Sequence, residues 1–155
     1  MRSVRILWFL LAIALLLGAA NGEASEIQQT TQELRERAAN LYSIGDFRAA
    51  LNLYERILAR DPGDAEAMDL SGWCHQRLGD RRSARDMFEK ALKILEGEDA
   101  VWTLIGLGEL YLNEGTFDIA LSRLEEALKA APNNAETTER ASRGIELAKT
   151  ALEKN

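Results

Sequence analysis

A set of small and apolar residues recurs about every 34 positions along this chain of 155 residues. Gly45, Gly79 and Gly115 stand in matching surroundings, 34 and then 36 residues apart. Each glycine is followed by an alanine, a large apolar residue and a leucine at fixed offsets, and is preceded by a small residue. The four sets are Ala50, Ala84 and Ala120; Tyr54, Phe88 and Leu124; Leu58, Leu92 and Leu128; and Ala38, Gly72 and Gly108. A unit this short cannot bury its own apolar residues, so successive units must stack.

The spacing inside each unit predicts helices. Leu51, Tyr54 and Leu58 lie three and four residues apart, which places them on one face of a helix. Only two prolines interrupt the chain, so helices can form along most of it. Each recurring glycine is predicted to end the first helix of its unit, because glycine adopts the left-handed conformation at a helix C-terminus with little strain.

These units resemble the tetratricopeptide repeat, in which about 34 residues form a pair of helices. On that register the three repeats cover residues 31–64, 65–98 and 99–134, and the last contains a two-residue insertion at Asp99 and Ala100. The resemblance implies an all-α fold, a right-handed solenoid of three helical hairpins.

The end of the chain is predicted to form one more helix. Between residues 135 and 155, Ala141, Ile145, Ala148 and Leu152 lie three or four positions apart, with charged residues between them. A stacked array needs a terminal element with one polar face. We therefore expect a C-terminal capping helix over residues 135–155.

The first 22 residues differ in character from the repeats. Arg2 and Arg5 precede an unbroken apolar run at residues 6–17, and small residues follow it. This order is typical of a signal peptide that is removed during export. The alternative is an uncleaved membrane anchor, although a span needs about 20 apolar residues.

We therefore expect a leader at residues 1–22, a lead-in at residues 23–30 and an exported protein. Its expected location is periplasmic or otherwise exocytoplasmic. Anchoring in the inner membrane, and with it membrane contact, is expected only if the leader stays attached.

The inventory of reactive side chains argues against an enzyme. The chain has one histidine, His75, and one cysteine, Cys74. Neighbouring residues on a helix point about 100° apart, so these two cannot act together as base and nucleophile. Both are predicted to fill the core, and a reactive thiol at Cys74 is the alternative. Because metal-binding spacings of cysteine and histidine are also absent, we expect no catalytic residue, no cofactor and no metal.

The charge of the chain bears on its partners. The formal net charge is −6, which argues against a nucleic-acid partner, since such partners select basic proteins. One basic cluster surrounds the turn of the second repeat and consists of Arg77, Arg81, Arg82 and Arg85. Two interpretations are open: a solvated turn, or a docking point for an acidic partner or an anionic membrane surface.

The resemblance also implies a binding surface. In the family, the first helices of successive repeats line a concave groove, and we single out partner-binding candidates at the matching positions. These candidates are Tyr42, Leu70, Trp73, Arg77, Trp102, Ile105 and Leu112. Family members that clamp the acidic tails of cytosolic chaperones use basic and asparagine side chains at particular groove positions. Those positions hold Arg35, Ala39, Leu70, Trp102 and Gly106 here, and only the first is basic, so that clamp is not expected.

An apolar and aromatic groove favours binding of an apolar peptide or helix, because aromatic residues dominate protein–protein hot spots. The resulting prediction is a non-enzymatic adaptor that holds another protein of a cell-envelope complex. Two alternatives are open. Trp73 or Trp102 could fold back into the core between repeats or be covered by the segment before Thr31, and the same apolar face could instead be buried in a homo-oligomeric scaffold.

Overall fold

The computed structural model describes residues 30–154, so the predicted leader and most of the predicted lead-in lie outside the described residues. Seven α-helices and one short 3-10 helix follow one another along the described part of the chain. Their bounds are α1 Thr31–Ser43, α2 Phe47–Arg60, α3 Ala65–Leu78, α4 Arg81–Ala91, the 3-10 helix Gly97–Ala100, α5 Val101–Glu114, α6 Phe117–Ala130 and α7 Ala135–Leu152. Within residues 30–154, no helix combines the length and the apolarity needed to cross a membrane.

Short polar side chains begin most of these helices. Asp46, Asp64 and Asp80 each accept a hydrogen bond from the backbone N–H three residues further on, at 3.1, 2.9 and 3.1 Å. At the start of α1, Thr30 accepts a bond from the N–H of Glu33 and donates its own N–H to the Glu33 carboxylate. These bonds satisfy N–H groups that have no partner within the helix, so the side chains set where α1, α2, α3 and α4 begin.

The recurring glycines end the first helix of each pair. Gly79 and Gly115 are the C-terminal caps of α3 and α5, and Gly45 comes directly after the last turn of α1. Their φ angles are 84°, 75° and 85°, a left-handed conformation that side chains with a Cβ rarely adopt. The predicted role of these glycines is confirmed.

The second repeat departs from the other two. Helix α4 ends at Ala91 after 11 residues, whereas α2 and α6 have 14 residues each. The chain then turns at Gly97, whose φ is 57°, into the 3-10 helix that leads to α5. The insertion predicted at Asp99 and Ala100 lies within this 3-10 helix.

Successive helices pack against one another along the solenoid, and α5 lies at its centre, in contact with α3, α4, α6 and α7. The closest approaches occur where a large side chain meets a glycine of a facing helix. A Cβ on Gly72 would lie 2.6 Å from Cδ1 of Phe88, and one on Gly106 would lie 2.7 Å from Cζ of the same ring. Phe88 is therefore held between helices of two successive repeats.

Gly106→Ala should destabilise the fold by at least about 1 kcal/mol, because overpacking of a core costs about 1–3 kcal/mol and outweighs the gain in helix propensity. Phe88 cannot retreat, since Gly72 contacts its other side. Urea unfolding measures this difference. Adding Phe88→Leu to Gly106→Ala should recover part of the loss by making room for the new methyl group.

The matched control is Gly63→Ala, where the nearest atom to an added Cβ is 3.4 Å away. This change should leave the free energy of unfolding within about 0.5 kcal/mol of the wild-type value. A Gly106→Ala variant as stable as the wild type would contradict the packing described.

Candidate partner-binding groove

The first helices of the repeats, together with α7, line an open cavity of about 330 Å³. We call this cavity and its walls the groove. The residues that line it are Tyr42, Asp69, Leu70, Trp73, Gln76, Arg77, Trp102, Glu109 and Arg140. They come from α1, α3, α5 and α7, so the groove runs across all three repeats and reaches the C-terminal helix.

The structure brings most of the predicted candidates together. Tyr42, Leu70, Trp73, Arg77 and Trp102 line the groove. Whether they contact a partner stays a prediction.

Two candidates lie elsewhere. Ile105 has no exposed surface and belongs to the core, so the expectation that it faces the groove is corrected. The physical reason is that α5 has helices packed around it on several sides. Leu112 is half-buried and lines a separate depression between α5 and α7, of about 430 Å³.

The two tryptophans have different environments. Trp73 is only 8% exposed, and its ring meets that of Phe88 edge to face, with the ring centroids 5.5 Å apart. Trp102 is half-buried and lines the groove and also a neighbouring depression. Trp73 is therefore largely a core residue that presents one part of its ring to the groove, whereas Trp102 is the more accessible of the two.

Arg140 of α7 covers both indole rings. Its guanidinium carbon lies 4.9 Å from the centroid of the Trp73 ring and 5.6 Å from that of Trp102, within the range of cation–π attraction. Its Nε and Nη2 atoms donate to the two carboxylate oxygens of Glu109, at 2.6 and 3.0 Å. The side-chain amide of Gln76 donates to the same carboxylate at 3.2 Å.

Arg140 was not among the predicted candidates, although the sequence carries a signal for it. Arg140 is the sixth residue of α7, as Leu70 and Gly106 are the sixth residues of α3 and α5. Continuing the repeat register into the capping helix would have placed it beside the groove. Asp69, Gln76 and Glu109 stand at groove-facing positions of the repeat register, although the predicted binding candidates do not include them.

Asp69 is the most perturbed acid of the groove. Burial raises the pKa of its carboxyl to about 6, and hydrogen bonds from Thr103 and Trp73 offset part of that rise. The Thr103 hydroxyl donates to Asp69 Oδ1 at 2.7 Å and links α5 to α3.

The opposite end of the groove is aromatic and basic. Tyr42 and Phe47 meet edge to face with their ring centroids 5.1 Å apart, and the guanidinium carbon of Arg77 lies 5.0 Å from the Phe47 centroid. Burial raises the pKa of Tyr42, and the Arg77 charge offsets part of the rise. Arg77 therefore lies against α2 at this end of the groove.

The remaining reactive side chains lie outside the groove. Cys74 is fully buried, and burial raises the pKa of its thiol to about 12, so the thiolate needed for reactivity is suppressed. His75 is partly buried, with Nδ1 3.6 Å from a carboxylate oxygen of Asp80. Between residues 30 and 154, no group of three histidine, cysteine, aspartate or glutamate side chains could hold a metal ion.

Comparison with known proteins gives a family match and several partial relatives. Residues 43–97 match the family model described as "Tetratricopeptide repeat". Among curated proteins, the chain is 31% identical over 98 residues to the human protein "DnaJ homolog subfamily C member 3". That match covers 63% of this chain and 19% of the relative, so the chain spans about a fifth of the relative's length.

Solved structures share the fold. The Sgt2 TPR domain of Aspergillus fumigatus superposes with a TM-score of 0.71 at 17% identity, covering 79% of each chain. The Yersinia enterocolitica type III secretion chaperone SycD, solved in complex with a peptide of the translocator YopD, superposes with a TM-score of 0.69 at 21% identity. The second match covers 80% of this chain and 94% of the chaperone.

Trp73→Ala should cost about 3–5 kcal/mol of unfolding free energy, because it removes a buried ring that packs on Phe88. Trp102→Ala removes a half-buried ring and should cost less than half as much. Urea unfolding monitored by circular dichroism measures both. Equal losses would contradict the different burial of the two rings.

Asp69→Asn should change the pH dependence of stability. The pKa of Asp69 is raised from its ordinary value near 3.8 to about 6, so the folded chain holds this proton more tightly than the unfolded chain. Well below pH 3.8 the carboxyl is neutral in both states. As the pH rises from about 4 to about 6, the unfolded state loses the proton first, and Asp69 lowers the stability of the fold.

The asparagine variant should therefore be more stable than the wild type at pH 7.5, by on the order of 1–3 kcal/mol, and closer to it at pH 4.5. Urea unfolding at the two pH values tests this. Glu55→Gln, on the exposed face of α2, serves as the control. A less stable asparagine variant at pH 7.5 would contradict the burial assigned to Asp69.

Proposed function

This chain is a tetratricopeptide-repeat protein, and from that premise we propose that it is a non-enzymatic adaptor that binds a segment of another protein in its groove. The proposal rests on the groove itself, in which Tyr42, Leu70 and Trp102 stay half-buried beside a cavity of about 330 Å³. Aromatic side chains at such positions are the usual anchors of protein–protein contacts. The SycD chaperone, which has the same fold, was solved with a peptide of its translocator.

The bound segment in this proposal is an apolar peptide or an amphipathic helix. Apolar side chains line much of the groove floor, and such a surface gains most by burying apolar groups of a ligand. An acidic tail is disfavoured, because among the five clamp positions only Arg35 is basic. Its guanidinium is engaged by Asp64 at 2.7 Å and Glu66 at 2.8 Å.

The proposed place of action is the cell envelope. The support is the order of positive, apolar and small residues at the start of the sequence, which is typical of an exported protein. The partner would then be another protein of an exocytoplasmic complex. Attachment to the inner membrane is part of the proposal only if the leader stays uncleaved.

The alternative function is a self-assembling scaffold, in which the same apolar face is covered by another copy of the chain. The half-buried side chains of Trp102 and Leu70 are equally suited to contact with a partner protein and with another copy of the chain. Light scattering separates the two functions, since an adaptor with a free groove is monomeric and a scaffold is an oligomer.

The adaptor function predicts that capture of a partner depends on the groove. The chain with a C-terminal tag would be expressed in its own host, cross-linked in the cells and purified. Combining Leu70→Ala with Trp102→Ala should reduce the yield of the captured protein at least tenfold, because two apolar contacts with the ligand are lost. Helicity should be retained.

The matched control is Ile119→Ala, which removes an apolar side chain that is 43% exposed on α6, outside the groove. This variant should capture the partner as the wild type does. Equal capture by the wild type and the groove variant would show that the groove is not the binding site. A stable oligomer that the groove variant dissociates would instead establish the scaffold.

A further inference from the structure

Arg140 occupies the groove as the side chain of a bound ligand would. Its guanidinium lies over the rings of Trp73 and Trp102 and makes two hydrogen bonds with Glu109. Flat aromatic faces and a bidentate carboxylate are the partners that a guanidinium binds best. The chain itself supplies this cation, from its C-terminal helix.

We infer that these two rings and Glu109 form a pocket for a cationic side chain, arginine or lysine, of the bound segment, and that Arg140 fills the pocket in the free chain. The inference rests on the proposed function and names the ligand chemistry of that same groove. The bound segment would carry its cation beside the apolar residues that cover Leu70 and Tyr42.

The polar groups around the pocket are mainly acceptors. Glu109 accepts from Arg140 and from Gln76. The side-chain oxygen of Gln76 is buried and accepts no hydrogen bond from residues 30–154. Asp69 adds a second carboxylate to the groove wall. A wall rich in acceptors complements a donor-rich cation and repels a carboxylate.

Arg140 can leave the pocket without unfolding α7. Its side chain is 41% exposed, while Ala141, Gly144 and Ala148 hold the helix against the rest of the fold and are buried. Glu136 lies one turn earlier on the same helix and interacts electrostatically with Arg140, so it offers a partner outside the pocket. Exchange of one guanidinium for another also conserves the charge balance at Glu109.

The second cation of the groove sets the direction of the bound segment. Arg77 lines the same cavity but lies over Phe47, at the end formed by α1 and α2. A ligand cation is repelled from that end and attracted to the end formed by α5 and α7. The segment would therefore bind with its cation near Glu109 and its apolar residues toward Tyr42.

The test uses N-acetyl-arginine amide, whose only charge is the guanidinium, and follows the indole N–H signals of the purified full chain by NMR. Arg140→Ala vacates the pocket and should bind this probe about tenfold more tightly than the wild type, with shifts of the Trp73 and Trp102 signals. N-acetyl-citrulline amide has nearly the same shape without the charge and should bind at least tenfold more weakly.

Two further variants locate the site. Adding Glu109→Gln to Arg140→Ala should lower the affinity for the arginine probe about tenfold, because the carboxylate charge is lost. Adding Glu139→Gln, an exposed acid of α7 that pairs with Arg143, should not. Titration of the wild-type protein to higher probe concentrations gives a second measurement of the affinities for the arginine and citrulline probes. This measurement does not depend on folding of the variants.

Equal binding of the arginine and citrulline probes, or tighter binding of N-acetyl-glutamate amide, would overturn the inference. Its failure is distinguishable from failure of the adaptor function. If partner capture depends on Trp102 but the arginine and citrulline probes bind equally, only the cation pocket is disproved. If the probes bind differently but no partner is captured, the cation pocket is supported and the adaptor function is disproved.

Discussion

Contact between a large side chain and the backbone of a facing helix fixes the spacing of this solenoid. Phe88 lies between Gly72 and Gly106, and Leu124 lies in the same way between Gly108 and Gly144. Because each ring or branched side chain touches helices on two sides, the distance between neighbouring repeats is set by the absence of a Cβ. The width of the groove on the other side of these helices depends on the same distances.

Polar contacts fix the register of the helices that line the groove. Arg35 of α1 donates to Asp64 at the start of α3, and Thr103 of α5 donates to Asp69 of α3, both at 2.7 Å. Close packing of apolar residues tolerates some sliding, whereas a hydrogen bond at 2.7 Å does not. Apolar packing therefore sets the spacing of the groove walls, and the polar contacts set which side chains face one another across it.

The fold could be predicted from sequence because its determinants are local and repeated. Turn glycines such as Gly79, and one apolar stripe per helix, recur about every 34 residues. A helix that one repeat indicates only weakly is therefore predicted from the matching positions of the other repeats. The site was predicted only in part. Ile105 has the expected position on its helix, but its burial depends on how several neighbouring helices pack around α5. Arg140 lies outside the three repeats, and its place beside the groove follows only when the repeat register is continued into α7.

The C-terminal helix is consequently more than a cap. An open groove would expose the rings of Trp73 and Trp102 to water, and exposed aromatic pairs favour unspecific association. Arg140 covers them with its guanidinium, which also pairs with Glu109, so the rings are shielded by a group that stays partly exposed to water. A buried leucine at this position would shield the rings as well but could not be displaced by a ligand cation at low cost. The long, half-exposed side chain of Arg140, paired with Glu109, covers the rings in the free chain and is released from them when a ligand cation binds.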